Sequence, residues 1–182
     1  ETVPHPSVHM ALESDGREEI VGVMDRRFTT VIEGRGRVVG TKFRPGAFRA
    51  FVKEPVSSFT NRRPPVGDVL GARARGLGAR VLEIEDDLQG IRIIEAFLRS
   101  LRPRVDESMT LTARIAGRIA EERAITRVDQ IVSEFGIPLR SLQRTFSEYV
   151  GVSPKWIIQR YRLMEAAERM AERYDTLIVD EG

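Results

Sequence analysis

The residues best suited to specific chemistry sit between Gly136 and Tyr149, in the run Gly-Ile-Pro-Leu-Arg-Ser-Leu-Gln-Arg-Thr-Phe-Ser-Glu-Tyr. At helical spacing, Leu139, Leu142 and Phe146 fall on one face and read as core. That leaves Arg140, Ser141, Gln143, Arg144 and Ser147 outward. Arginine and glutamine can make paired hydrogen bonds to base edges in a DNA major groove, and serine can add a single one. Arg140, Ser141, Gln143 and Arg144 are therefore the candidate base contacts. A few residues on, Ser153 is expected to cap a further helix with Pro154 in its first turn, where unpaired backbone N–H groups can hold a phosphate. Lys155, Arg160 and Arg162 add charge nearby, so Ser153, Lys155 and Arg160 are the candidate phosphate contacts.

Other constellations are weaker. There are no cysteines, which excludes disulfides, thiolate zinc sites and thiol nucleophiles. His5 and His9, the two histidines, would share one strand face with Glu13. A metal needs three or four converging ligands, so a structural or effector-lining role fits the pair better than a metal site. Arg44-Pro45-Gly46-Ala47-Phe48 and Arg49 offer cations and helix-start amides to an anionic effector. The competing reading, a strand-ending turn that packs Phe43, Phe48 and Phe51, is the stronger one. Trp156 reads as core packing. The acidic run Glu83, Glu85, Asp86 and Asp87 reads as a solvated loop and a helix cap. No arrangement for nucleophilic or acid–base catalysis stands out, and the expectation is a non-enzyme without metal or cofactor.

The elements that must position these side chains change character along the chain. Val8, Met10 and Leu12 alternate with His9, Ala11 and Glu13, the period of a half-buried strand. Ser14-Asp15-Gly16 signals a turn. Glu19–Met24, Arg27–Glu33 and Arg37–Arg44 read as further strands, with a hairpin loop at Glu33-Gly34-Arg35-Gly36. Residues 55–80 read as a connection with one or two short helices. Asp87 is expected to cap a helix carrying Leu88, Ile91, Ile94, Leu98 and Leu101, stopped by Pro103. Helices are then expected over about 107–123 (with Leu111, Ile115 and Ile119 inward), 127–135, 138–149 and 153–173. Thr126 is the expected cap of the second of these. Gly136 supplies the left-handed residue of a tight turn, and Pro138 suits a first helical turn. The fold class is therefore α+β. A β-rich half, cupin- or jelly-roll-like and partial, is followed by linker helices and a helical part containing a helix-turn-helix. The expected domains are 1–103 and 104–182.

Gly136, Leu142-Gln143-Arg144, Phe146, Gly151, Ser153-Pro154, Arg162-Leu163 and Ala166 stand in the order of a known pattern. Over about residues 125–172 the chain resembles the AraC family of transcriptional regulators, in its first helix-turn-helix and the long linker helix that follows. Pro4-His5-Pro6-Ser7-Val8-His9 and Val39–Phe48 look like the β-rich N-terminal domain of one branch of these regulators. The resemblance implies sequence-specific binding of double-stranded DNA by the second helix of the pair, at Arg140, Gln143 and Arg144. It implies an N-terminal domain that senses a small-molecule effector or mediates homodimerisation, and RNA polymerase as a further partner. Val132 stands where the family usually has alanine at the helix crossing, and Pro138 replaces its usual Ser or Thr cap. The family's second helix-turn-helix is absent: after the linker helix come Tyr174–Gly182, and the first residue is not methionine. The resemblance thus implies a fragment or trimmed chain.

Charge alone does not make this case. Net charge is +2 over 182 residues, too mild to argue a nucleic-acid partner. Only residues 126–164 stand out, with 6 basic against 3 acidic groups. No apolar run approaches membrane-spanning length and no signal-peptide pattern opens the chain, so a cytoplasmic protein is expected, with no membrane partner. The competing functional reading is a small-molecule-binding module whose helical tail serves protein interaction or dimerisation instead of DNA.

Overall fold

The computed structural model describes residues 5–26 and 35–179, with side chains through Met170. Its three strands are β1 (His9–Glu13), β2 (Glu18–Val21) and β3 (Val38–Lys42). They form one antiparallel sheet in the order β2-β1-β3. Central β1 turns Met10 and Leu12 into the core and leaves His9, Ala11 and Glu13 half-buried, as the alternation requires. Met10 faces Ile20 on one side and Thr41 on the other. The Ser14–Gly16 turn closes the first hairpin, with Arg17 C=O accepting from the Glu13 N–H. The strand expected at Arg27–Glu33 and the first half of its hairpin loop lie outside the described residues. Among the described residues the β half amounts to this small sheet, and residues 47–82 are largely helical turns.

Those turns are more numerous than the one or two the sequence suggested. Two 3₁₀ turns cover Ala47–Phe51 and Val56–Phe59, and another covers Ala72–Ala74. Between and after them come α1 (Val66–Val69) and α2 (Leu77–Leu82). Runs rich in Pro and Gly cannot sustain longer helices, yet each short turn buries an apolar residue. Phe43, Phe48, Phe51 and Phe59 meet edge to face, with ring centroids 5.1–5.5 Å apart. This is the packing expected of the turn after β3.

Five longer helices follow: α3 (Asp87–Ser100), α4 (Glu107–Glu121), α5 (Val128–Phe135), α6 (Leu139–Tyr149) and α7 (Pro154–Val179). The architecture is α+β, and one apolar core runs from Met10 and Phe48 through Ile115 and Phe146 to Ile157. α3 is capped by Asp86, not Asp87, because Asp86 accepts from the Leu88 N–H while Asp87 pairs with Arg37. On α3 the buried face is Gly90, Ile94 and Phe97, whereas the expected core residues Leu88 and Ile91 are 63% and 50% exposed. A helix of this spacing needs only one stripe covered, and the neighbours lie against the other flank. α4 carries Ile115 and Ile119 inward as expected. α7 extends beyond the expected end near residue 173, to Val179. No helix among the described residues is long and apolar enough to cross a membrane.

Candidate nucleic-acid interface

The pair α5–α6 is built around a glycine. Gly136 has φ 64°, the left-handed conformation that closes a helix, and its N–H bonds back to the Val132 C=O. Ahead of α5, Thr126 is not the cap. The Gln130 side-chain carbonyl reaches back and accepts from the N–H groups of both Thr126 and Arg127. A glutamine three residues into a helix is placed for this reciprocal cap. Pro138 is extended (φ −56°, ψ 138°) and stands just before the first residue of α6, not within its first turn. Proline lacks the N–H that a helix start leaves unpaired in any case, so it begins α6 without a side-chain cap.

α6 buries Leu142 and Phe146, at 1% and 0% exposure. Each contributes about 1.5–3 kcal/mol by leaving water. Leu139 departs from the expected core face and is 48% exposed, because it sits at the helix's first residue, ahead of the packed turn. Arg140, Gln143 and Arg144 are exposed, Ser141 is half-buried and Ser147 is exposed. Spacings of three, four and seven residues put Arg140, Gln143, Arg144 and Ser147 on one outer stripe. Among the described residues, none of Arg140, Gln143 and Arg144 makes an ion pair, and no hydrogen bond engages their side chains. Three strong donors thus stand in solvent on a helix whose opposite face is fixed.

The far end of α6 is held firmly. Glu148 accepts from Arg49 Nε and Nη2 at 2.9 and 2.8 Å. Arg49 also donates to the Val52 C=O at 2.6 Å and lies over the Tyr149 ring. The Tyr149 hydroxyl donates to Asp106 at 2.8 Å. Burial first, and then that hydrogen bond, raise the hydroxyl's pKa above its ordinary value. Gly151 closes α6 at φ 92°, and its C=O accepts from Thr60 Oγ1 at 2.7 Å. The Arg49 and Thr60 bonds join α6 to the 3₁₀ turns of the β half, and the Tyr149 bond joins it to the start of α4. Arg49, an expected effector contact, has its donors engaged in this clamp. Sequence reasoning missed the clamp, since its members are separated by up to 99 positions.

α7 begins as expected: Ser153 Oγ accepts from the Trp156 N–H at 3.2 Å, with Pro154 as the first helical residue. Lys155 is exposed. Arg160 is half-buried with its guanidinium 4.6 Å from the centroid of Trp156. Trp156 thus packs against the core as expected, half-buried, with a cation over its outer face. Arg162 is turned away from solvent. It donates to the Glu122 and Ile119 carbonyls at 3.0 and 2.6 Å and so closes the end of α4, which corrects its reading as a surface cation. The last four carbonyls of a helix lack partners within it, and a cation donating to them satisfies that end.

The remaining expected effector residues lie apart. His5 is exposed ahead of β1, and His9 is half-buried opposite Lys42. Burial and the Lys42 charge lower the pKa of both imidazoles. No group of three metal-ligating side chains gathers among the described residues. Arg44 lies elsewhere, at the edge of a groove of about 650 Å³ formed with Ala47, α4 and the end of α5. The groove had no sequence signal beyond the small residues Ala113 and Gly117 on one face of α4.

Fold and site together define a small α+β protein that presents an arginine- and glutamine-bearing helix after a glycine turn. A family described as a domain of unknown function, DUF6597, matches residues 1–65 of the 182-residue chain. The match ends ahead of all the helices that build the candidate interface. No curated protein and no solved structure matches the chain.

Proposed function

We propose that this chain is a sequence-specific DNA-binding transcriptional regulator of the AraC type, with α5–Gly136–α6 as its helix-turn-helix. The sheet and the turns after it form a sensor-like half, of the partial cupin type, that receives an effector or a second protomer. The carrying observation is the outer stripe of α6, where Arg140, Gln143 and Arg144 are solvated and unpaired among the described residues. Arginine fits the two acceptors of guanine and glutamine the donor–acceptor pair of adenine, so the stripe carries the chemistry of base readout. Ser141 lies at its margin. Ser153, Lys155 and Arg160 at the start of α7 supply the phosphate contacts that fix register without reading sequence. Double-stranded DNA is the principal partner, with RNA polymerase downstream, and the setting is the cytoplasm. No catalytic step is involved.

The hold of Arg49 on Glu148 and Tyr149 gives the sensor half its grip on the reading helix. A change in the turn over Ala47–Phe51 moves the C-terminal end of α6 and so re-aims the stripe. The competing reading, a small-molecule-binding module whose helices serve protein interaction or dimerisation, draws on the groove beside α4.

The test is a fluorescence-anisotropy titration of DNA enriched from a random pool, at several salt concentrations. It is run beside the Arg140→Ala/Gln143→Ala/Arg144→Ala variant. A recovered motif whose preference is lost in the variant, with a steep salt slope, supports the DNA reading. No enrichment, or an identical preference in both proteins, overturns it in favour of the ligand-binding module.

A further inference from the structure

The groove beside α4 is distinct from the base-reading stripe and from the clamp. Its floor is α4 at Ala113 and Gly117, where two small residues one turn apart leave the helix backbone uncovered. A Cβ built on Gly117 meets nothing within 4 Å. Met109 and the half-buried Phe135 of α5 form apolar walls. The volume, about 650 Å³, is that of a site for a small organic molecule, and walls of methionine and phenylalanine adapt to apolar bodies.

The charges on this rim are not alike. Arg118 is paired with Glu134 at 2.7 Å and Glu122 at 3.2 Å. Arg44 and Arg114 are exposed and, among the described residues, have no carboxylate within 4 Å. Arg114 instead rests 5.8 Å from the centroid of Phe135. Asp106, in the shallow depression on the other side of Arg114, is already engaged by Tyr149 and the Met109 N–H. Glu121 lies seven residues beyond Arg114, about 10 Å along the helix axis. The groove thus has small and apolar residues at its floor, two guanidinium groups on its rim without a carboxylate partner, and Glu121 further along α4.

We propose that this groove binds an amphipathic organic anion, an apolar body bearing one carboxylate. Its carboxylate is held by the unpaired guanidinium groups of the rim, Arg44 and Arg114, and its body covers Ala113 and Gly117 beside Phe135. Desolvation of the body supplies affinity, and the two guanidinium groups select the ionised head over a neutral one. The site also touches the machinery of α6. Phe135 and Glu134 are the last residues before the Gly136 turn, and the Arg118–Glu134 pair spans α4 and α5 along the groove. A ligand there biases how α5 sits on α4, and with it the direction of α6. That consequence rests on the DNA-reading proposal; the site itself does not.

The test uses 8-anilinonaphthalene-1-sulfonate as a fluorescent reporter on the 182-residue chain, displaced by sodium decanoate or by 1-decanol. The expected result is saturable displacement in which decanoate outcompetes decanol by about tenfold or more, the worth of one charge-assisted contact. Arg44→Gln and Arg114→Gln should each weaken decanoate and leave decanol unchanged. Gly117→Phe fills the groove from a helical position with open space above it, and should abolish displacement while its circular-dichroism melt stays cooperative. Equal displacement by acid and alcohol overturns the proposal. So does decanoate binding that survives in both arginine variants, which keeps the test decisive if Gly117→Phe does not fold. DNA anisotropy with and without decanoate is read separately. A shifted DNA curve supports the coupling, and an unshifted one refutes the coupling and leaves the site standing. If no DNA binds at all, the DNA reading fails while the fluorescence result still decides the groove.

Discussion

Arg49→Ala tests whether the reading helix is truly fastened to the sheet half. The side chain is three-quarters buried and makes three kinds of contact. Its ion pair with the partly exposed Glu148 (2.8 Å) is worth about 0.5–1 kcal/mol after solvent screening. The charged hydrogen bond to the Val52 C=O, at 2.6 Å, contributes about 1.5 kcal/mol. The Tyr149 ring lies 5.9 Å from the guanidinium, near the limit of a cation–π contact, and adds about 0.5 kcal/mol. Truncation should therefore cost roughly 2–3 kcal/mol, and Glu148→Ala only about 1 kcal/mol, since it removes the ion pair alone. Urea unfolding of both single variants and the double variant, followed by far-ultraviolet circular dichroism, gives the coupling directly. We expect a coupling of about 0.5–1 kcal/mol with an unchanged denaturant slope. A coupling indistinguishable from zero, together with an Arg49→Ala cost below about 0.5 kcal/mol, would refute the clamp and with it the proposed route from the sensor half to α6.

Two glycines should separate conformational strain from steric overlap. Gly136→Ala meets open space, so its cost is the left-handed backbone alone, about 1 kcal/mol by thermal or urea unfolding. At Gly151 a Cβ would stand 2.8 Å from Thr60 Oγ1 and 3.0 Å from the Val56 C=O; Gly151→Ala should cost roughly 3 kcal/mol or more, and equal costs at the two positions would contradict the close approach of α6 to the Val56–Phe59 turn. The half-buried His9 has a pKa below its ordinary value of 6.5, through burial first, then Lys42 and His5. The unfolded chain then takes up the proton first, so His9's contribution to stability is complete above pH 6.5 and is lost as the pH falls through the folded-state value. His9→Gln should flatten the pH dependence of the unfolding midpoint between pH 7.5 and about 5, and an unaltered profile would count against burial as the cause.

Local signals were legible where one residue type meets one backbone demand. Gly136, Gly151 and the Ser153-Pro154 pair are in the conformations their types favour, and the Val8–Leu12 alternation became a central strand. Caps were legible only to within a residue or a partner. Asp86 took the role expected of Asp87, because neighbouring polar side chains compete for the same backbone donors, and Arg127 holds the cap position expected of Thr126 while Gln130 accepts from the N–H groups of both. Periodicity named the faces of α3 and α6 but not which turns of a face would be covered. Leu88, Ile91 and Leu139 fit an apolar stripe and stay in water because no neighbour reaches the ends of those helices.

What the sequence by itself determined is the α+β class, the glycine turn before α6 and the stripe of Arg140, Gln143 and Arg144, all consequences of short-range spacing. Only the tertiary structure decided what the other arginines do. Arg49 fastens α6 to the turn after β3, Arg162 closes α4, Arg118 joins α4 to α5, and Arg44 and Arg114 are left facing a groove. In sequence these are indistinguishable cations. Their roles depend on partners as many as 99 positions away, and a guanidinium's function is fixed by whichever carboxylate, carbonyl or ring the fold brings within about 3–6 Å of it.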